Sequence, residues 1–215
     1  MKNCLIVGGG GNFGSALVNK MHIRSVNTYT ITSGQSVDNN TLTVDWTTCN
    51  ITNFEKFLKT LPVIDFVIFN QNSPALTDNC LKFKSEHILE IWKRSKQWSQ
   101  SHFVNCILPL YILQTLAAND CISDQGCVAW MLSRSMFFAD TSVPVDYAGQ
   151  KYQNYLMLQK LAENNPQEFV GICPGHLTEQ NCDFKLELLI DFLQVTKKST
   201  GKFYVINDNT IEQYK

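Results

Sequence analysis

Short, nearly continuous apolar runs alternate along the chain with longer stretches whose apolar positions recur at helical spacing. Residues 4–8, 28–32, 41–44, 63–69, 128–132, 169–173 and 202–206 read as strands, the second rich in β-branched and aromatic side chains. The run at 63–69, Val-Ile-Asp-Phe-Val-Ile-Phe, is as apolar as a central parallel strand covered on both faces must be. Residues 12–21, 53–61, 147–163 and 186–195 predict helices, the second of them stopped by Pro62. Residues 80–118 predict a largely helical region, broken between an amphipathic piece near 82–97 and a more apolar one near 100–118. Strands alternating with helices predict an α/β fold, a doubly wound parallel sheet in three α/β/α layers. With no repeat, low-complexity tract or linker, residues 1–215 form a single domain in this reading.

Composition narrows the function classes. Of the 215 residues 44% are hydrophobic and only 17% charged, enough apolar surface for a core and an extensive buried interface besides. The net charge of −1 leaves no basic surplus to neutralise a phosphate backbone, so nucleic acid is not an expected partner. No apolar run approaches the length of a membrane span or of a signal peptide, which predicts a cytoplasmic protein without a membrane partner. The eight cysteines form no CxxC pair and sit mostly in apolar contexts. They read as free buried thiols in a reducing compartment, and the isolated histidines give no support for a metal site.

The segment Gly8-Gly9-Gly10-Gly11-Asn12-Phe13-Gly14 joins the first strand to the first helix. Four glycines in a row have no packing value and cost entropy on ordering. They suit a turn that brings backbone N–H groups against a ligand, where the positive end of the following helix favours a pyrophosphate. This strand–loop–helix placement predicts a Rossmann-type dinucleotide site; a merely flexible turn is the bland alternative. The second strand ends Thr32-Ser33-Gly34-Gln35, with neither the carboxylate that would hold the adenosine ribose of NAD nor an arginine. Small hydroxyl residues such as Ser33 leave room for a 2′-phosphate, which favours NADP over NAD.

Further along, Asn70-Gln71-Asn72-Ser73 follows the central strand and Ser133 closes another. Tyr147 and Lys151 stand four apart at a helix start, Asn105 lies in the preceding helical region, and Pro174-Gly175 closes a later strand. Over nearly its whole length this order resembles the short-chain dehydrogenase/reductase family. The resemblance implies NAD(P)-dependent interconversion of a carbonyl and an alcohol on a small-molecule substrate. Ser133, Tyr147, Lys151 and Asn105 would form its proton relay, Asn105 holding a relay water. Chemistry explains the residue types: a tyrosine, ordinarily titrating near pH 10, needs a cation one helical turn away to act near neutrality. The family pattern further implies cofactor contacts from Gly8, Gly11, Asn12, Phe13 and Gly14, from Ser33, Asp45 and Trp46, and from Asn70, Gln71 and Asn72. It adds Tyr147, Lys151, Pro174, Gly175 and Thr178, with His176 facing the active site.

Several alternatives stay open. Ser135 rivals Ser133 as the catalytic serine, although matching Gly126 to the glycine before the strand favours Ser133. Arg134 reads either as a substrate-anion clamp or as a surface salt bridge. Tyr147 and Lys151 could form a surface pair, and Asn105 could be an interior asparagine satisfied by backbone. The helices of Asn105 and Lys151 commonly pair subunits in the family, implying a homodimer or homotetramer. A sugar-nucleotide epimerase or dehydratase is a rival reading; such enzymes normally add a C-terminal substrate domain, whereas here the sequence after Gly175 stops at residue 215. A non-catalytic dinucleotide-binding sensor is another, suggested by the departures in Asn70-Gln71-Asn72-Ser73.

Overall fold

A computed structural model describes residues 1–34, 40–45, 51–72, 99–138, 143–175, 178–194, 198–207 and 210–214. Eight strands make one sheet: β1 (Asn3–Val7), β2 (Asn27–Thr32), β3 (Thr41–Thr43), β4 (Ile64–Phe69), β5 (Ile122–Met131), β6 (Glu168–Cys173), β7 (Lys202–Ile206) and β8 (Ile211–Gln213). Their order is β3-β2-β1-β4-β5-β6-β7-β8. All neighbours pair in parallel except β7 and β8, so the doubly wound parallel sheet expected from sequence is present and ends in one antiparallel strand. The order reverses direction between β1 and β4, which opens a crevice beyond their carboxyl ends.

Alternation along the strands builds two cores. Leu5 and Val7 of β1 face one side of the sheet together with Ile31, Val67 and Val128. Cys4 and Ile6 face the other, together with Phe66, Ile68 and Ala129. The first side is covered by α2 (Ile51–Thr60), α3 (described from Ser99 in Ser99–Ala118) and α4 (Val145–Asn164), through Phe54, Leu58, Ile112, Leu116 and Leu158. The second is covered by α1 (Asn12–Ile23) and α5 (Glu179–Gln194), through Leu17, Val18, Met21, Leu186, Leu189 and Ile190. Although α3 is long and apolar enough to cross a membrane by length and composition, half of that window is buried inside this fold.

Two helices end without glycine where a left-handed residue is required. After α1, Ser25 takes φ 55° and Val26 N–H bonds back to the Met21 carbonyl at 3.0 Å. After α3, Asp120 takes φ 52° and Cys121 N–H bonds to Leu116 at 2.8 Å. Inside α3, Pro109 has no N–H to give. The helix answers with a wide turn over Phe103–Ile107, in which Leu108 N–H reaches back five residues to Phe103 rather than four.

Candidate active site

The glycine loop sits at the crevice. Gly8, at φ 90°, lies so close to β4's exit that a Cβ there would stand 2.5 Å from the Gln71 nitrogen. A Cβ on Gly9 would meet the methyl of Thr30 at 2.2 Å, and one on Gly14 would meet the Gly8 carbonyl oxygen at 2.2 Å. Gly8 and Gly14 let loop, helix and sheet pack backbone to backbone, and Gly9 lets the loop sit against the Thr30 side chain. Gly11 differs: nothing lies within 4 Å of the position a Cβ would take. It caps α1 in extended conformation, with no side-chain cap and no acidic residue in the first turn, so neither a cap side chain nor a first-turn carboxylate offsets the positive helix end. Asn70 holds the loop from below, its Nδ2 donating to the Gly8 carbonyl at 3.1 Å.

Beyond the loop lies a cavity of about 790 Å³. Gly8, Gly11, Asn12, Phe13, Gly14, Ser33, Asp45, Asn70, Gln71 and Asn72 all line it, which brings ten residues named from sequence around one space. Thr32, Gly34, Gln100 and Val104 also line it; the last two were missed because they come from a helix whose start the periodicity leaves undefined. Asp45 is the only charged residue in the described lining. Trp46 and His176 fall outside the described residues. Uncapped backbone donors, an open face at Gly11 and a cavity at the strand switch point fit the diphosphate of a dinucleotide.

A second cluster stands at the ends of β5 and β6. Ser133 closes β5's exit and caps a short 3₁₀ turn (Arg134–Met136), its Oγ accepting from Ser135 N–H at 3.2 Å and lying 2.8 Å from the Ser135 hydroxyl. Tyr147, in the first turns of α4, stands beside the Ser133 hydroxyl. Burial raises the Tyr147 phenol above its ordinary value, with the Ser133 hydroxyl pulling the other way.

Lys151 is buried, donates to the Met131 carbonyl at 2.9 Å, and places its ammonium 5.6 Å from the centre of the Tyr147 ring. Burial lowers it to about 8, against smaller opposing effects of Cys106 and Cys173. Asn105 sits in the wide turn of α3, its Nδ2 donating to Gln150 Oε1 at 2.7 Å and Ser101 Oγ at 3.2 Å. Its carbonyl accepts from Asn154 Nδ2 at 2.9 Å.

Pro174 and Gly175 follow β6, with Lys185 Nζ on the Pro174 carbonyl at 3.0 Å. Thr178 caps α5, exchanging hydrogen bonds with Asn181. Neither these three nor Ser133, Tyr147 and Lys151 line the cavity. Arg134 is exposed and makes no ion pair among the described residues, so the surface salt bridge expected as one reading is not found.

No protein-family model and no curated relative matches the chain by sequence. Solved structures do match. The chain is similar to a short-chain dehydrogenase family protein from Francisella tularensis, at TM-score 0.74 and 17% identity, over 96% of this chain and 97% of that one. It is similar to a short-chain dehydrogenase/reductase from Burkholderia multivorans with bound NADP, at TM-score 0.70 and 17% identity, over 97% and 98% of the two chains. A carbonyl reductase from Pseudomonas aeruginosa matches at TM-score 0.71 and 18% identity, over 95% and 96%. From end to end the chain has the short-chain dehydrogenase/reductase fold.

Proposed function

We propose that the protein is an NAD(P)-dependent oxidoreductase that interconverts a carbonyl and an alcohol on a small molecule. One observation carries this reading: the Tyr147 phenol stands beside the Ser133 hydroxyl, with the buried Lys151 ammonium 5.6 Å from the centre of its ring. A protein that only bound a dinucleotide would need no such group.

The cofactor is held in this reading by Gly8, Gly11, Asn12, Phe13, Gly14 and Ser33, and by Asp45, Asn70, Gln71 and Asn72. When bound, it supplies or accepts a hydride at the reacting carbon. The chain's own residues manage the proton. Tyr147 is held in its protonated form at neutral pH, which suits donation to the oxygen of a carbonyl undergoing reduction. Ser133 supplies a hydroxyl to the same oxygen and orients the phenol. Lys151 remains charged below about pH 8 and stabilises the phenolate left after donation. An ammonium has three donors, of which the Met131 carbonyl takes one, so it can also bind a cofactor hydroxyl. The short hydroxyl of Ser33 favours NADP, as does the NADP bound in the Burkholderia structure; the described lining has no lysine or arginine to pair with a 2′-phosphate.

We also read α3 and α4 as a subunit interface in a homodimer or homotetramer. Phe103 and Ile107 on α3, and Tyr152 and Leu156 on α4, are exposed at one-turn spacing on helices that pack together. Leu156→Glu is expected to shift the protein to a smaller species by light scattering. Free, mostly buried thiols suit a cytoplasmic setting.

The test of the reaction is NADPH or NADH consumption against a panel of aldehydes and ketones, with Kd measured for both dinucleotides. Turnover lost in Tyr147→Phe with cofactor affinity kept supports the reading. Binding without turnover would identify a sensor, and conversion of a sugar nucleotide with no net cofactor use an epimerase. No binding of either dinucleotide would overturn it.

A further inference from the structure

We propose that Asn154 is a positioning residue for the chemistry of Tyr147 and Lys151, acting through the wide turn that carries Asn105; this rests on the oxidoreductase reading. The starting point is Pro109. In a regular helix the carbonyl of residue 105 accepts from the N–H of residue 109, and in a five-residue turn the carbonyl of residue 104 does so. Proline supplies neither bond.

Both carbonyls are instead met by side chains from outside the helix. Asn154 Nδ2 reaches the Asn105 carbonyl at 2.9 Å from α4, and Gln71 Nε2 reaches the Val104 carbonyl at 3.3 Å from the end of β4. A third amide, Gln150, receives the Asn105 side chain at 2.7 Å and Ser101 Oγ at 3.2 Å. Gln150 and Asn154 lie one turn apart on α4, and Lys151 lies between them in sequence.

The energetics argue against a packing role alone. Gln71, Asn105, Gln150 and Asn154 are all at least nine-tenths buried. Burying an amide is unfavourable unless every polar atom is met, and apolar side chains would seal two helices at less cost. Asn154 Oδ1 and Gln150 Nε2 nevertheless have no partner among the described residues. Such a cluster fixes one pose of the turn: Asn154 clamps its main chain, Gln150 its side chain, and Cys106 within the same turn contacts the Gln150 carbonyl at 3.9 Å. The turn and the α4 segment bearing Lys151 and Tyr147 thereby form one unit.

Two variants test this, each assayed beside the unmodified protein with NADPH and a carbonyl that it reduces. Asn154→Leu keeps the volume and removes the donor. A kcat reduced about tenfold or more, with KM for substrate and Kd for NADPH within about twofold, is expected. Asn154→Asp is isosteric but can donate to the Asn105 carbonyl only when protonated. Its kcat should therefore recover toward the parent's as pH falls through the acid range, well below the limb that Lys151 sets above about pH 8 in both proteins, a trend not produced by loss of packing. Lys151 and Cys106, the titratable groups facing the cluster, are common to both proteins.

Unchanged kcat in Asn154→Leu overturns the proposal, as does a kcat loss matched by an equal loss of NADPH affinity. Should Asn154→Leu not fold, Asn154→Asp decides alone: a pH profile parallel to the parent's overturns the proposal. Failure of the unmodified protein to reduce any carbonyl overturns the oxidoreductase reading itself and the positioning role with it, whereas an active parent with indifferent variants overturns the positioning role only.

Discussion

A Cβ placed on Gly14 would lie 2.2 Å from the carbonyl oxygen of Gly8, so helix α1 can start where it does only because residue 14 lacks a side chain. Gly14→Ala must push the helix off the loop, and overpacking of this kind costs about 1–3 kcal/mol. Gly11→Ala meets nothing within 4 Å and should melt within a degree or two of the parent. If the cavity takes a diphosphate, the same Gly11→Ala should weaken dinucleotide binding markedly. Calorimetry and thermal melts on both variants separate the two effects; equal losses of stability would refute the distinction.

Lys151 gives the reaction a pH limit. Its ammonium, lowered by burial to about 8, loses its charge as pH rises through that value. The rate of carbonyl reduction should fall above about pH 8, and Lys151→Met should be slow throughout without that limb. Stability moves the opposite way. The unfolded lysine holds its proton up to its ordinary 10.5, so between about 8 and 10.5 the unfolded state binds more protons at this residue and its contribution to stability rises with pH. Denaturant titrations across that window should show the parent gaining on Lys151→Met by on the order of 3 kcal/mol, while the raised thiols of Cys4, Cys106 and Cys127 pull both proteins down alike above pH 9.

Thiol chemistry should follow burial. Burial raises Cys4 far above its ordinary value and Cys127 to about 12, with Cys106 at about 11. Partly exposed Cys182 is raised less by its surroundings and is nearer solvent. Brief alkylation of the native protein, read by peptide mass spectrometry, should label Cys182 and spare Cys4 and Cys127 until denaturant is added. Early modification of Cys4 would contradict the packing of β1.

Ser25 offers a stabilising change. A non-glycine residue in the left-handed region costs about 1 kcal/mol, and the Ser25 side chain makes no described bond that would be lost. Ser25→Gly should raise the melting temperature by a few degrees.

Much of this architecture was legible in the sequence, for reasons tied to burial. Strands buried on both faces are apolar throughout, and β1, β4, β6 and β7 match their expected bounds within a residue or so. β5 starts six residues earlier than expected, because Ser123, Asp124 and Gln125 at its exposed end carry no apolar signal. Gly126 therefore lies inside the strand rather than before it, where a Cβ would stand 2.8 Å from the Ser123 carbonyl. Helix α5 begins at Glu179, well before residue 186, since its first turns are polar; the Thr178–Asn181 cap was the available signal. Three-residue β8 is too short to show alternation.

The site was legible in part for the same reason. Glycines and the Tyr147–Lys151 spacing are local signals, whereas which of Ser133 and Ser135 acts on the Tyr147 phenol depends on how the turn after β5 folds, and there it is Ser133. Gln150 and Asn154 gave no signal, because polar residues on a helix read as solvent-facing until another helix is known to cover them.

The proline-enforced turn has one more effect, on the angular phase of α3. Each helical residue advances about 100° around the axis, and widening the loop by one residue inserts that rotation once. Side chains upstream are consequently wound away from the ridge that Leu108, Ile112 and Leu116 lay against the sheet, and Gln100 comes to face the cavity instead. A wheel drawn in one register through the whole helix would mis-sort its two halves. Deleting a single residue within Phe103–Ile107 should unwind the offset, turning Gln100 aside while the downstream ridge stays seated.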